Sequence, residues 1–174
     1  MTTNHSTLFD FSQPDSVKLW RAIDDRVMGG VSISELISIN IDDQRVALFR
    51  GELSLANNGG FCSVRSDLQQ SIRADSQHLW LECRDNMPQA ATTYYLNVRT
   101  SDTFDGVSYR TSFSPTDTFI RYEFTRSEFV PVFRGRDVPD APPLAFENIR
   151  QIGLMVADAQ VGPFELIIRA IGVF

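Results

Sequence analysis

The sequence has few of the residues that usually carry catalysis, metal binding or membrane insertion. Its 174 residues include two cysteines and two histidines, and lysine occurs only at Lys18. Two cysteines make neither a disulfide framework nor a zinc pattern, and the alternating runs around Cys62 and Cys83 are typical of small core residues. No apolar run approaches the roughly 20 residues that span a bilayer, so we expect no membrane insertion.

The charge balance is acidic, although all but one of the basic residues are arginines. A net charge of −6 argues against binding nucleic acid. Arginine pairs with carboxylates through a planar fork and stacks on aromatic rings, so many of these side chains would be held in place. A compositional bias of the source genome explains the excess of arginine equally well.

Residues 1–7 form a polar leader that we expect to be poorly ordered. They contain neither an apolar signal core nor an arginine-rich transit pattern. The sequence therefore indicates a cytoplasmic protein, or a mature form from which a leader has been removed. Its length favours a single domain over residues 1–174.

Alternation of apolar and polar residues indicates an all-β protein. In residues 45–55, Ala47, Phe49 and Leu53 share one face while Arg50 and Glu52 occupy the other, which is the period of a strand. Roughly ten such segments at regular spacing predict a β-sandwich or barrel, over residues 7–11, 17–23, 31–41, 45–55, 61–66, 78–84, 93–100, 107–114, 119–125, 149–156 and 163–173. Only residues 66–74 and 125–129 would hold a turn or two of helix.

Two glycine pairs interrupt this pattern, one in a corner with three charged residues and the other after two asparagines. Glycine supplies positive-φ corners that other residues reach only with strain. We define the first corner as residues 24–30 and the second as residues 57–61, whose candidate site residues are Asp24, Asp25, Arg26, Met28, Gly29, Gly30, Asn57, Asn58, Gly59, Gly60 and Phe61.

Three roles are open for these corners. Adjacent aspartates with two asparagines would suit a hard cation, but the Asp-x-Asp-x-Asp spacing of calcium loops is lacking. Alternatively, Arg26 or Arg65 bridges an aspartate and pins the two corners side by side, which is the role that we favour because breaking a buried pair costs about 3–5 kcal/mol. The third role is contact with a partner or ligand.

Residues 129–146 break the strand rhythm with four of the eight prolines. Proline cannot donate to a sheet ladder, so this segment predicts a long ordered loop or a frayed sheet edge. Phe133, Arg134, Gly135 and Arg136 place an aromatic ring and two cations together, which suits contact with another protein. The alternative is that the apolar residues of this segment fold back and cover the end of the sandwich.

No pattern selects a catalytic centre. His5 lies in the polar leader and His78 opens a strand, so neither is placed by the sequence beside a nucleophile. Glu52, Glu82 and Glu123 offer carboxylates, but their spacing selects no pair for glycoside hydrolysis. There is no dinucleotide, phosphate-loop or zinc motif, and we expect no enzymatic activity, metal or cofactor.

Five motifs in order resemble the complex I intermediate-associated protein 30 family, over residues 20–32, 49–53, 57–65, 133–135 and 162–166. The resemblance covers about residues 9–172 and is closest to the free-standing bacterial members. It implies a galactose-binding-domain-like jelly-roll β-sandwich. It also implies a protein-binding assembly factor whose partners are subunits or assembly intermediates of NADH:ubiquinone oxidoreductase. That enzyme would then be the client of this chain, and the chain itself would not catalyse the oxidoreductase reaction.

A saccharide or small-ligand site is the alternative to a protein partner. Jelly rolls commonly present a concave face to sugars, and amphipathic aromatic rings with forked donors suit such a site. The residues that would form this face are Tyr95, Asn97, Arg99, Ser108, Arg110 and Tyr122. The same residues also describe an ordinary solvated sheet face.

Overall fold

Strands provide most of the regular structure of residues 5–174, the part of the chain that the computed structural model describes. In this part, thirteen strands alternate with six single-turn 3₁₀ helices and there is no α-helix. The strands are β1 (Ser6–Asp10), β2 (Arg21–Ala22), β3 (Ile33–Ile41), β4 (Gln44–Leu53), β5 (Cys62–Asp67), β6 (His78–Asp85), β7 (Tyr94–Arg99), β8 (Ser108–Phe113), β9 (Ile120–Thr125), β10 (Val130–Phe133), β11 (Arg136–Asp137), β12 (Gln151–Val156) and β13 (Gly162–Val173). The 3₁₀ helices span Ser16–Leu19, Asp25–Met28, Ala56–Asn58, Pro88–Ala90, Arg126–Glu128 and Phe146–Asn148.

The strands of this described part pair antiparallel in two sheets. One sheet has the order β3-β4-β13-β6-β9, with β1 also pairing with β13, and the other has the order β11-β10-β8-β7-β12-β5-β2. Strands far apart in sequence are neighbours, as in the pairs β4 with β13 and β5 with β12. The chain therefore crosses repeatedly between layers, as it does in jelly rolls, and the predicted jelly-roll β-sandwich is confirmed.

Aromatic rings from both sheets fill the space between the layers. Phe49 in β4 and Phe164 in β13 are edge to face with ring centroids 4.9 Å apart. The buried ring of Tyr94, in β7 of the other sheet, lies 6.1 Å from Phe164 and 6.4 Å from Phe49. Such pairs add to the stabilisation from burial itself. The outer face of the seven-stranded sheet is turned away from this core.

Several predicted elements differ from the structure. The predicted strand over residues 17–23 is a 3₁₀ turn followed by the two-residue β2, because Val17 and Trp20 are three residues apart and pack on the core from one side of that turn. No helix forms within 66–74. The predicted helical turn near residue 125 is present, with a capping box between Thr125 and Glu128.

The structure also shows what two less regular segments form, residues 129–146 and the part of the leader that is described. Residues 129–146 contribute β10 and β11 at the edge of the seven-stranded sheet. Of the two predictions for this segment, a long loop or a sheet edge, the structure therefore has the sheet edge. β1 begins at Ser6, inside the leader that we expected to be poorly ordered, and pairs with β13. Residues 1–4 of that leader lie outside the described residues.

Candidate functional site

The two glycine corners meet at the carboxylate of Asp25. This side chain is fully buried and accepts hydrogen bonds from the backbone N–H groups of Ser32 at 3.0 Å and Gly60 at 2.7 Å. The Ser32 hydroxyl also donates to it, and the N–H of Phe61 lies at 3.4 Å. A carboxylate of the first corner therefore holds the backbone of the second corner in place.

Each glycine pair contains one residue required for its φ angle and one required for close approach. Gly29 has φ of 86° and Gly60 has φ of 155°, values that L-residues rarely adopt. A Cβ atom at Gly59 would lie 2.5 Å from Oδ2 of Asp25, and one at Gly30 would lie still closer to the same carboxylate. Gly30 and Gly59 are thus required for the space that Asp25 occupies.

Asp24 joins the two sheets at the same place. Its carboxylate accepts hydrogen bonds from the N–H and hydroxyl of Ser34, at 2.9 and 2.5 Å, and from the N–H of Ser63 at 3.0 Å. Ser34 belongs to β3 of one sheet and Ser63 to β5 of the other. The first corner is therefore anchored to both layers.

The predicted arginine clamp is wrong. Arg26 is exposed, and no salt bridge among the described residues involves Asp24, Asp25, Arg26 or Arg65. Backbone N–H groups and serine hydroxyls hold the aspartates instead, because these donors satisfy a buried carboxylate without the desolvation of a second charge. Arg65 instead donates to the carbonyl oxygen of Phe104 at 3.2 Å.

The aspartate pair offers little to a metal ion. Its carboxylates are engaged by the hydrogen bonds described above, and within residues 5–174 no group of three or more His, Cys, Asp or Glu side chains is placed to hold a metal.

Hydrogen bonding to Asp25 makes stability depend on pH. Burial by itself would raise the pKa of Asp25, but hydrogen bonds from Ser32, Gly60 and Phe61 outweigh burial and hold this pKa below its usual value. A carboxyl with a lowered folded-state pKa stabilises the fold above its unfolded pKa of about 3.9, and this contribution is lost as pH falls through the folded pKa.

We therefore expect Asp25→Asn to flatten the loss of stability on acidification. The free energy of unfolding in urea, measured between about pH 3 and pH 5, should fall less steeply for this variant than for the wild type. The exposed Asp117→Asn serves as the control and should keep the wild-type slope. Equal slopes for the wild type and Asp25→Asn would contradict the assignment.

A groove of about 690 Å³ lies on the outer face of the seven-stranded sheet, and the two corners form one of its walls. The opposite wall consists of the β7–β8 loop and the turn between β10 and β11. The wall residues are Val27, Met28, Asn58, Gly59, Gly60 and Phe61 on one side and Phe104, Asp105, Gly106, Arg134 and Gly135 on the other. Residues predicted from two separate patterns thus surround one groove.

Outward-facing side chains of four strands form the floor of this groove. Strand register places Arg110, Asn97, Gly153 and Arg65 side by side across β8, β7, β12 and β5. In the same register, Arg99 of β7 lies opposite Gln151 of β12. Four residues of the predicted saccharide face, Asn97, Arg99, Ser108 and Arg110, therefore line the same groove as the two corners.

The β10–β11 turn fixes Arg134 at the groove wall. Arg134 and Gly135 both have positive φ, 49° and 77°, the pairing of values that tight hairpins require. The guanidinium of Arg134 lies 2.6 Å from the carboxylate of Asp105 and 5.1 Å above the ring of Phe133. Arg136 is exposed in β11 and does not line the groove.

The aromatic platform predicted for a sugar is not assembled. Tyr122 is in β9 of the other sheet, where its ring packs 5.7 Å from Phe113, so its placement on this face is wrong. Tyr95 is on the correct sheet, but the guanidinium of Arg110 lies over its ring at 4.3 Å and its hydroxyl donates to Asp158. The sequence did not predict where these two rings lie, because strand order cannot be read from alternation.

Three groove residues had little or no signal in the sequence. Phe104 and Asp105 lie in a polar stretch without a motif, and Gly153 looks like an ordinary strand residue. A glycine inside an apolar strand pattern is the one hint that was available, because it often marks close approach of backbone. A Cβ atom at Gly153 would lie 2.8 Å from the carbonyl oxygen of Val64.

The rim of the groove exposes apolar side chains. Val27, Met28 and Phe104 are 61%, 66% and 62% exposed. Apolar and aromatic side chains around buried arginines are typical of surfaces that bind other proteins.

The fold and this face define a jelly-roll sandwich of the galactose-binding-like type, an architecture shared with carbohydrate-binding modules. The family 11 carbohydrate-binding module of the cellulase Lic26A-Cel5E of Clostridium thermocellum superposes with a TM-score of 0.74 at 15% identity, covering 100% of this chain and 96% of that one. The family 30 module of the cellulase Cel9D-Cel44B of the same organism gives a TM-score of 0.65 at 8% identity, over 98% and 97% of the chains. At these identities the likeness concerns the fold alone.

The chain belongs to the complex I intermediate-associated protein 30 family, whose sequence profile matches residues 9–168. The uncharacterized protein C9E9.15 of Schizosaccharomyces pombe is 31% identical over 180 residues, which cover 92% of this chain and 81% of that protein. Within the described residues, none of the helices has the length and apolar character that crossing a membrane requires.

Proposed function

We propose that this chain is a non-enzymatic binding protein whose groove holds a segment of a partner protein, and that the partner is an assembly intermediate of respiratory complex I. Family membership supports the identity of the client. The observation that carries the proposal is the groove itself, in which exposed Val27, Met28 and Phe104 rise above a floor of arginines.

Non-enzymatic binding agrees with the chemistry around the groove. Neither cysteine nor histidine lines it. Cys62 is buried beneath the corners, where burial and the charges of Asp24 and Asp25 raise the pKa of its thiol to about 12. A thiol that stays protonated is a poor nucleophile. The ring of His78 is stacked on Phe174 with centroids 4.7 Å apart, away from the groove.

Charge reversal at Arg134 on the groove wall and at Arg136 beside it tests the proposal. We expect Arg134→Glu combined with Arg136→Glu to keep the fold, because the Arg134–Asp105 pair is exposed and such pairs contribute about 0–1 kcal/mol. The double variant should lose co-purification of complex I membrane-arm subunits from the native organism, read by mass spectrometry. Like charges would then oppose the partner at the wall.

A matched control is Arg73→Glu, which also breaks an exposed arginine–aspartate pair but lies outside the groove. It should co-purify with the same subunits as the wild type. Undiminished capture by the Arg134→Glu/Arg136→Glu variant would contradict the role of this wall.

A saccharide is the second candidate ligand, and the likeness to carbohydrate-binding modules favours it. One solved structure of the family 11 module is a complex with a β-1,3-1,4-mixed-linked tetrasaccharide. In this chain Arg110 lies over one face of the Tyr95 ring and Tyr95 does not line the groove, which is why the protein partner is preferred.

A further inference from the structure

Two arginines lie together in the groove floor without a carboxylate partner. Arg65 in β5 and Arg99 in β7 flank β12 on either side, and the residue between them in register with Arg65 is Gly153, which has no side chain to separate them. Arg99 is only 7% exposed and Arg65 is half-buried. Neither forms an ion pair with any carboxylate of the described residues.

Burial disfavours the charged form of both guanidinium groups. Burial, with the neighbouring charges of Arg99 and Arg21, lowers the pKa of Arg65 to about 10, and the carboxylates of Asp67 and Asp105 offset only part of this shift. Burial also lowers the pKa of Arg99. Arginine nevertheless stays protonated at neutral pH, so the fold holds two repelling cations close together in an acidic protein. An anion between them would relieve both the repulsion and the missing solvation.

Unused hydrogen-bonding atoms surround the same two side chains. The buried Nε of Arg99 has no partner among the described residues, and neither do Oδ1 of Asn97 and Oε1 of Gln151. All three residues line the groove. Buried polar atoms are nearly always paired in folded proteins, so a cluster of them at a groove floor indicates a ligand that supplies the missing partners.

The β7–β8 loop uses only part of the donor capacity. Arg65 donates to the carbonyl of Phe104 at 3.2 Å, and Arg99 donates to the carbonyl of Gly106 at 3.2 Å. Each guanidinium has five N–H donors, and neutral carbonyls are weaker acceptors than oxyanions. The carboxylate of this loop, Asp105, is already paired with Arg134.

We propose that Arg65 and Arg99 form an oxyanion subsite that binds a carboxylate or phosphate group of the groove's ligand. The planar fork of arginine suits both groups. The unpaired oxygens of Asn97 and Gln151 accept hydrogen bonds from a donor next to that group, such as a backbone N–H. This subsite rests on the proposed function, since it names the chemical group that the groove recognises in its partner.

Small probes test the subsite without the partner. The full chain is titrated at constant ionic strength with a hexaglutamate peptide, a hexaglutamine peptide, inorganic phosphate and the neutral mixed-linked tetrasaccharide, and the backbone amide of Gly153 is followed by NMR. We expect saturable shifts with hexaglutamate and none with hexaglutamine. Saturation by phosphate but not by hexaglutamate supports the subsite and assigns a phosphate source, whereas the reverse assigns an acidic side chain.

Arginine variants locate the binding. Arg65→Gln and Arg99→Gln should each weaken binding of the effective anion at least tenfold, which corresponds to about 1.4 kcal/mol, while Arg73→Gln should leave it unchanged. Both groove variants should unfold at the wild-type temperature or higher, because a repulsion has been removed. If Arg99→Gln does not fold, the half-buried Arg65→Gln carries the test.

Three results would overturn the subsite: no saturable binding of either anion, equal binding in the wild type and both arginine variants, or saturation by the tetrasaccharide alone. Continued capture of complex I subunits by the wild type alongside any of these would leave the proposed function standing. The two failures are therefore distinguishable.

Discussion

Asp25→Ala is expected to lower the free energy of unfolding by about 3–5 kcal/mol, because each buried donor left without a partner costs about 1–3 kcal/mol. The substitution strands the N–H groups of Ser32 and Gly60, and the Ser32 hydroxyl keeps only the carbonyl oxygen of Ser54 as an acceptor. It also removes the side chain through which the first corner binds the backbone of the second. Few single substitutions exceed this size, and those that do break buried networks of this kind.

Urea unfolding of the full chain measures this effect. The exposed Asp117→Ala is the control and should change the free energy of unfolding by less than about 0.5 kcal/mol. Asp25→Asn keeps the shape of the side chain, but its amide NH2 group would face backbone N–H donors. This variant should therefore lose much of the same stability. A loss below about 1 kcal/mol for Asp25→Ala would equal the contribution of a single hydrogen bond. That result would contradict the central role of this carboxylate.

Gly30→Ala is expected to destabilise the fold by about 2–4 kcal/mol, since overpacking a rigid site costs about 1–3 kcal/mol and the hydrogen bonds of Asp25 are strained as well. The added methyl group would overlap the carboxylate of Asp25. That carboxylate cannot move away without releasing Ser32 or Gly60. The penalty therefore arises from space and not from the backbone angle.

Its neighbour Gly29 separates these two causes. Gly29 has φ of 86° and nothing within 4 Å of the position that a Cβ atom would take. Asparagine tolerates such angles better than other residues, so Gly29→Asn should lose less than about 1 kcal/mol. Thermal and urea unfolding of both variants provide the comparison. Equal losses at the two positions would show that Gly30 is not selected for space.

The alternation of apolar and polar residues was enough to predict most of the strands of the fold. Alternation in residues 45–55 predicted β4 almost to its ends, Gln44–Leu53, because Ala47, Phe49 and Leu53 lie on the face of that strand that packs on the main core. The same reasoning failed for residues 17–23, where apolar spacing of three marks a 3₁₀ turn. Short edge elements such as β11 at Arg136–Asp137 bury too little to leave a pattern.

The candidate site was less predictable because it depends on strand pairing. The serines that hold the aspartates, Ser32, Ser34 and Ser63, look like ordinary polar residues until β3 and β5 are brought together. The sequence predicts arginine as the partner of the paired carboxylates, but neutral donors satisfy a buried carboxylate at lower desolvation cost. The pairing of β7 with β12 and of β12 with β5, which places Arg99 near Arg65, carries no local signal at all.

Site-specific photo-cross-linking tests most directly whether the groove is the binding surface. A photoreactive phenylalanine analogue replaces Phe104, 62% exposed on the groove wall, or Ile120, 42% exposed in β9 of the other sheet. After irradiation in the native organism, the variant at Phe104 should be joined to complex I subunits and the variant at Ile120 should not. Cross-linking of those subunits through Ile120 alone, or equally through both positions, would contradict the account.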